Sequence, residues 1–432
     1  MKTRRTFLKS FASLTVVSLN SKAGVSTMSE ITSLSTKPAK ELVSDENYWH
    51  MVRTLFPVQG DIINLEHGYW GKMATVVEEA LANNTHKVNK ELSWYARKEY
   101  KTDFIKARLS VSDALGVKLN EIMLTRNATE SFVNLITQYN GLTSKDSILW
   151  ADTDYPSFQR MMKWLAKEND IKGHRINLPS SGSDTDYIQA YKKAFDKYPN
   201  LKLILLTHVS NQHGLVLPIK EIAAMAKARG IEVICDCAQS WGLLNFQMTD
   251  LGVDWAVFNL HKWIGSPVGV GALYMREGTL ANVDPFPGEE LGDDDVENRV
   301  HLATSDFAAF ITVPKSIEFH NLIGGANKEA RLKYLREAWV NEVKKIPEVE
   351  ILGGNSIENS SGVGGFRLKN KTSKKELNQL QSRLENEFGI FTVVRDSLAS
   401  GCCIRVTPQI FTPYSHIQAL VSAIKVIAKD SR

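Results

Sequence analysis

From about residue 120 onward the chain alternates between two textures. Short apolar runs (EIMLTR, SILWADTD, LKLILLTHV, IEVICDCA, WAVFNLHKW, GVGALYM) are separated by amphipathic segments such as ATESFVNLITQYN, SFQRMMKWLAKEN and IKEIAAMAKARG. An apolar run without polar alternation is a strand buried on both faces, and the helices that join such strands are what bury it. The pattern therefore predicts an α/β domain built on a mostly parallel sheet. After about residue 305 comes one long helical stretch interrupted near Gly324-Gly325. It is followed by GVGGFRLK, the helix SKKELNQLQSRLENEFG, the strands IFTVVRD and CCIRVT, and a last helix from Ser415. That is a smaller α+β unit. At 432 residues the chain exceeds the roughly 250–300 that one core serves. We expect an N-terminal segment over 27–60, a large domain over 61–305 and a small C-terminal domain over 306–432.

The first 26 residues read differently. Arg4 and Arg5 precede Phe7-Leu8-Lys9, a weakly apolar run from Phe11 to Leu19, and the small residues around Ala23. This is a charged region, a short hydrophobic region and a cleavage zone. The apolar run is about half the ~20 residues that cross a bilayer, so no stable membrane anchor is expected. TRRTFLK resembles the twin-arginine export signal of bacteria, which implies the twin-arginine translocation machinery as a partner and a periplasmic address. The net charge of +4 is spread along the chain, and no basic face argues for nucleic acid. Cys235, Cys237, Cys402 and Cys403 sit in or beside strand-like runs. Neighbours there point to opposite faces and alternate residues lie ~6.5–7 Å apart, so buried free thiols are expected rather than local disulfides. No second Cys or His pair stands at metal-ligand spacing.

In open α/β sheets chemistry collects where the strands end. In TRNATES a strand closes at Thr125, a turn follows at Asn127-Ala128, and Thr129 opens a helix, so free backbone N–H groups and the positive end of a helix dipole face one spot, as a phosphate requires. In VICDCAQSWG a buried strand runs into Asp236, with Gln239 three residues on. A buried carboxylate there needs a cationic partner. In AVFNLHKWIGSPVGVGALYM, Lys262 leaves a strand into a glycine-rich loop. A lysine, a carboxylate and a phosphate-binding helix start are the parts of a pyridoxal 5'-phosphate (PLP) site. The lysine carries the cofactor as an imine, the carboxylate keeps the ring nitrogen protonated, and the helix holds the phosphate.

The order TRNATES, DTDYPS, THVSNQHG, DCAQSWG, NLHKWIG and IRVTP resembles the fold-type I PLP enzymes of aminotransferase class V. That group includes cysteine desulfurases, kynureninases and isopenicillin-N epimerases, and the likeness covers residues 60 to 430. It implies Lys262 and Asp236 as catalytic residues and Tyr155 stacked on the ring, at a position that is often His or Phe in the family. It further implies Gln239 on the phenolic oxygen, and phosphate contacts from Ala128, Thr129, Asn259 and His261. Asn211 falls near the ring oxygen or substrate, and Arg405 matches the arginine that clamps a substrate carboxylate. Thr304, in ATSD where Gly-Thr is more usual, falls where a neighbouring subunit donates a phosphate contact, which implies a homodimer.

FPVQGDIINLEHGYWGKM resembles the isopenicillin-N-epimerase-like branch, which also holds exported PLP enzymes that tailor pyoverdine siderophores. The expected function is a PLP enzyme acting on an amino acid or a peptide-like amino-acid derivative. Alternatives are a periplasmic siderophore-tailoring transaminase-like enzyme, a C–S lyase or desulfurase-like activity, and a non-catalytic PLP-binding protein. A desulfurase needs a cysteine on a mobile loop ahead of the carboxylate-binding arginine. RDSLASG is too short for such a loop, which disfavours that activity.

Overall fold

A computed structural model describes residues 20–57, 60–289 and 295–430. The double arginine at 4 and 5 and the apolar run after it lie outside the described residues. The large sheet has seven strands: β1 (Ile122–Thr125), β2 (Ser147–Ala151), β3 (Lys172–Ile176), β4 (Leu201–Thr207), β5 (Glu232–Asp236), β6 (Trp255–Asn259) and β7 (Gly271–Met275). Their spatial order is β1-β7-β6-β5-β4-β2-β3. The chain of pairings from β3 to β6 is parallel, and β7 alone runs antiparallel to both of its neighbours.

The apolar runs become strands because both of their faces are covered. Every residue of β1, β2 and β7 is buried, as two-sided helix packing demands. Helix Ala128–Gln138 packs on β6 and β7, and Pro156–Glu168 packs on β2 and β3. Within the large sheet, the strand absent from the sequence reading is β3. Its KGHRI has no apolar alternation because it lies at the sheet edge with most of its side chains outward.

The second sheet joins β8 (Val349–Gly354), β9 (Gly364–Leu368), β10 (Val393–Arg395) and β11 (Cys403–Val406), in the order β10-β11-β9-β8, to the short Ser181–Gly182. Its core is separate, built from Trp339, Phe366, Leu384, Ile404 and Ile424 among others. Packing moves the domain boundary expected at 305/306. Helices Phe307–Ile311 and Val313–Ile323 lie on the long helices Thr75–Lys98 and Tyr100–Leu115, and Phe310 and Val313 join the large core. The switch to the small domain comes at Gly324, whose φ of +87° breaks the helical run before Gly325–Val343. In the other direction, Ile63–Asn64 pairs in parallel with Ile390–Phe391, and Leu65 belongs to the small core. The chain at 63–72 is therefore a strap that starts on the small domain and runs to the large one.

Candidate active site

The parallel strands of the large sheet end along one rim, and Arg395 and Arg405 of the small domain close over it. The result is a cavity of about 490 Å³. It gathers Ala128, Thr129, Tyr155, Asn211, Asp236, Gln239, Asn259, His261, Lys262 and Arg405 at one place. Thr304 is not among them. It lines a separate surface groove with Leu92 and Phe307, so within one chain it does not reach the site.

Asp236 ends β5 with its carboxyl buried, and one oxygen accepts the Ala238 N–H at 2.9 Å. Burial pushes its pKa up to about 6, against the pull of that N–H and of Lys262. The other oxygen has no donor among the described residues. Lys262 follows β6, and burial lowers its amine to about 8. Asp236 opposes that shift, while Arg405 and Arg395 add to it. The two groups attract one another yet close no ion pair; both line the cavity instead. A buried acid and a half-buried amine held apart are each short of a partner.

The lysine's backbone is pinned from two sides. The Gly71 N–H donates to the His261 carbonyl at 2.7 Å, and buried Lys328 donates to the Trp263 carbonyl at 2.7 Å. Gly71 approaches so closely that a Cβ there would stand 1.8 Å from the Lys262 carbonyl oxygen. Only glycine fits.

At the opposite corner Asn127 caps helix Ala128–Gln138, accepting the Glu130 N–H at 2.9 Å. Such a cap contributes about 1 kcal/mol. The helix therefore starts one residue before the Thr129 start that the sequence suggested. The Ala128 N–H donates to Asn259 Oδ1 at 2.9 Å, while the Thr129 amide and hydroxyl take no partner among the described residues. His261 Nδ1 lies 3.0 Å from the Val270 carbonyl, and burial, then Lys262, lowers the ring to about 4. The imidazole is neutral at pH 7. Gln239 is held at both ends, donating to the Gly68 carbonyl at 2.8 Å and accepting from the Trp263 indole at 2.9 Å. One amide hydrogen remains for a ligand. Tyr155 stands at the cavity rim with its ring edge-on to Phe158. Its loop is anchored by Asp154, which accepts from the Thr207 hydroxyl and the Ala151 N–H, each at 2.7 Å. These features fit PLP, with an acid short of a donor for the ring nitrogen, a free amine across the cavity, and an open helix start for the phosphate.

Sequence reasoning missed Glu66 and Arg395. Buried Glu66 forms an ion pair with Arg405 Nη2 and accepts from the Thr407 hydroxyl at 3.1 Å. Arg395 lines the cavity with Glu66 as its nearest acid, at 3.9 Å. The rule that singled out Asp236 and Arg405, a charge inside an apolar run, applies equally to Glu66 in INLEHG and Arg395 in TVVRD. All four cysteines are buried and free. Cys235 and Cys237 bring their sulfurs to 3.6 Å, closer than strand spacing gives, because β5 ends between them.

Residues 73–390 match the aminotransferase class-V family. The chain is 24% identical over 399 residues to isopenicillin N epimerase from Streptomyces clavuligerus, covering 88% of this chain and 99% of that protein. It superposes on the apo cysteine desulfurase from Thermococcus onnurineus NA1 with a TM-score of 0.73, at 20% identity, covering 88% of this chain and 98% of that one. It superposes with a TM-score of 0.75 on a C-DES variant with glycine covalently linked to its PLP cofactor, at 22% identity over 86% and 98% of the two chains. At these identities the structural likeness speaks for the fold.

Proposed function

The chain belongs to the aminotransferase class-V family of pyridoxal 5'-phosphate enzymes, and from that premise we propose that it acts on an amino acid or a peptide-like amino-acid derivative with Lys262 carrying the cofactor. The observation that carries this reading is the pair Asp236 and Lys262, both lining one cavity and unpaired with each other. When bound, the cofactor supplies an electron sink that weakens the bonds at the carbon bearing the substrate's amine. The Asp236 carboxylate would hold a proton on the ring nitrogen. Thr129, the helix start at Ala128, and Asn259 would hold the phosphate. Tyr155 would cover the ring, and Asn211 and Gln239 would border its oxygen. Lys262 Nζ, partly deprotonated near neutral pH because burial lowers its pKa to about 8, would take or deliver the proton on its own face of that carbon. Return of a proton to the opposite face would make the reaction an epimerisation, and the likeness to isopenicillin N epimerase along 99% of that protein's length favours this outcome.

A desulfurase-like reading would need an accessible thiolate, whereas Cys403 is buried and burial pushes its thiol up to about 12. A siderophore-tailoring, transaminase-like reaction would use the same residues, and a non-catalytic PLP-binding protein would keep the cofactor without turnover. We further infer export by the twin-arginine route to the periplasm, motivated by Arg4 and Arg5 before an apolar run, and a homodimer. The dimer is motivated by Thr304 standing apart from the site, in a groove with the exposed Leu92 of helix Thr75–Lys98, a helix that also exposes Trp94. The test is to purify the protein from periplasm and titrate amino acids and amino-terminated peptides while recording the cofactor's visible absorption. A spectral change with turnover supports the enzyme. A yellow protein that no amine perturbs leaves the non-catalytic reading, and a colourless one refutes the PLP assignment. Protein found only in the cytoplasm would remove the export reading.

A further inference from the structure

Lys328 is a cation in the core, only 4% exposed, and no carboxylate pairs with it among the described residues. Its Nζ donates to the Trp263 carbonyl at 2.7 Å and to His320 Nδ1 at 3.0 Å. Burial, then the nearby Lys328, holds the His320 ring well below its usual pKa and so neutral, which leaves that nitrogen free to accept. Keeping an amine in the core without an acid costs stability, and a neutral donor would serve a lone carbonyl at less cost. What the amine holds is therefore the point of interest.

Trp263 is the residue after Lys262, and it meets the Gln239 turn twice. Its indole N–H donates to Gln239 Oε1 at 2.9 Å, and its carbonyl presses on Gly242, where an added Cβ would stand 2.7 Å from the carbonyl carbon and 2.8 Å from the oxygen. Gly242 thus closes one side of the carbonyl while Lys328 holds its oxygen. Lys328 belongs to the first turn of helix Gly325–Val343, its N–H donating to the Gly324 carbonyl at 3.1 Å, and Leu335, Trp339 and Val343 farther along that helix build the small core. The amine therefore ties the small domain to the peptide that follows Lys262.

Building on the PLP-enzyme reading above, we propose that Lys328 is a positioning residue: by holding the Trp263 carbonyl it fixes the indole that aims the Gln239 amide at the cofactor's ring oxygen. Lys328 itself does not line the cavity. Gln239 spends one amide hydrogen on the Gly68 carbonyl at 2.8 Å, and the direction of the other is set by the bond from the indole to Oε1. Without Lys328 the carbonyl loses its donor, the Trp263 peptide is free to shift, and the amide loses its aim.

The test reads the cofactor's visible absorption in the PLP-loaded protein, which changes with pH as the link to Lys262 loses its proton. A donor at the ring oxygen favours the form without that proton, because the oxygen's negative charge is then unshared. Lys328→Met keeps the length and apolar packing but removes the donor, and should raise the pH midpoint by about 0.5–1 unit, a roughly three- to tenfold change on the scale of one hydrogen bond. Trp263→Phe keeps the backbone carbonyl but has no indole N–H, and should raise the midpoint similarly. In that background Lys328→Met should add less than about 0.2 unit, because both changes act through one amide. A midpoint unmoved by Lys328→Met, with only a lower denaturant midpoint, would make Lys328 a structural residue and overturn the proposal. So would a midpoint that Trp263→Phe leaves in place, or an equal Lys328→Met shift in both backgrounds, which would assign the effect to the charge itself. Should Lys328→Met not fold, Lys328→Gln, polar but one bond too short to hold the carbonyl, carries the same comparison. A protein without the yellow cofactor would refute the reading on which the proposal rests, a result distinct from these.

Discussion

Two acid and base pairs stand at the same cavity, one lining it on both sides and the other reaching it only through Arg405, and they are built in opposite ways. Asp236 is buried, Lys262 is half-buried, and the two are kept apart, each with a pKa moved toward its neutral form by desolvation. Glu66 and Arg405 are buried and closed on each other, with further hydrogen bonds to Thr407 and the Asn211 carbonyl. The open pair keeps its charges short of partners and therefore available to a ligand. The closed pair spends its charges on the protein. Burial alone does not mark a functional charge; what marks it is burial without a partner.

The comparison breaks most completely at Lys262. Lys262→Ala should abolish the borohydride-trapped adduct and the yellow absorption, lower turnover by many orders of magnitude, and leave the fold intact by circular dichroism. Asp236→Asn should come next. The protein should retain some cofactor but lose turnover by a factor on the order of 10²–10³, and turnover at the unmodified rate would assign the ring nitrogen to another residue. The closed pair should respond in stability instead. Glu66→Ala strands a buried guanidinium and should cost about 3–5 kcal/mol in denaturant unfolding of the cofactor-free protein, where Asp236→Asn costs little or stabilises.

The smallest effect is one of pH. The folded pKa of Asp236, about 6, is raised above the usual value near ~4. Between those values the folded protein binds more protons than the unfolded chain, so stability falls as pH rises. The folded pKa of Lys262, about 8, is lowered from ~10.4. Between those values the unfolded chain binds more protons, and stability climbs as pH rises. The cofactor-free protein should therefore show its lowest melting temperature between about pH 6 and 8, with limbs of about 1–3 kcal/mol. Asp236→Asn should remove the acid limb and, by taking away the charge that holds the Lys262 amine up, start the alkaline limb at lower pH.

Much of this was legible in the sequence. Lys262, Asp236 and the helix start after Asn127 fall at strand ends, and strand ends are found by local pattern. The polar edge strand β3 carries no such pattern. Glu66 and Arg405 are separated by 339 positions, and no periodicity reveals that an acid and a base so far apart will neutralise each other. Arg405 in isolation therefore read as a free clamp. The boundary at Gly324 was visible as a break in a helical run, but only packing of Phe310 and Val313 on the large core shows which side of it each helix joins.

Gly71 touches no ligand-binding side chain, yet an added methyl group there would collide with the carbonyl of Lys262. In a saturation mutagenesis screen scored by growth or product, position 71 would therefore be as intolerant as position 262, while a screen scored by soluble expression would separate the two. The same contact sets a design limit. The strap at 63–72 cannot be lengthened, shortened or exchanged for that of another protein without resetting where the lysine stands.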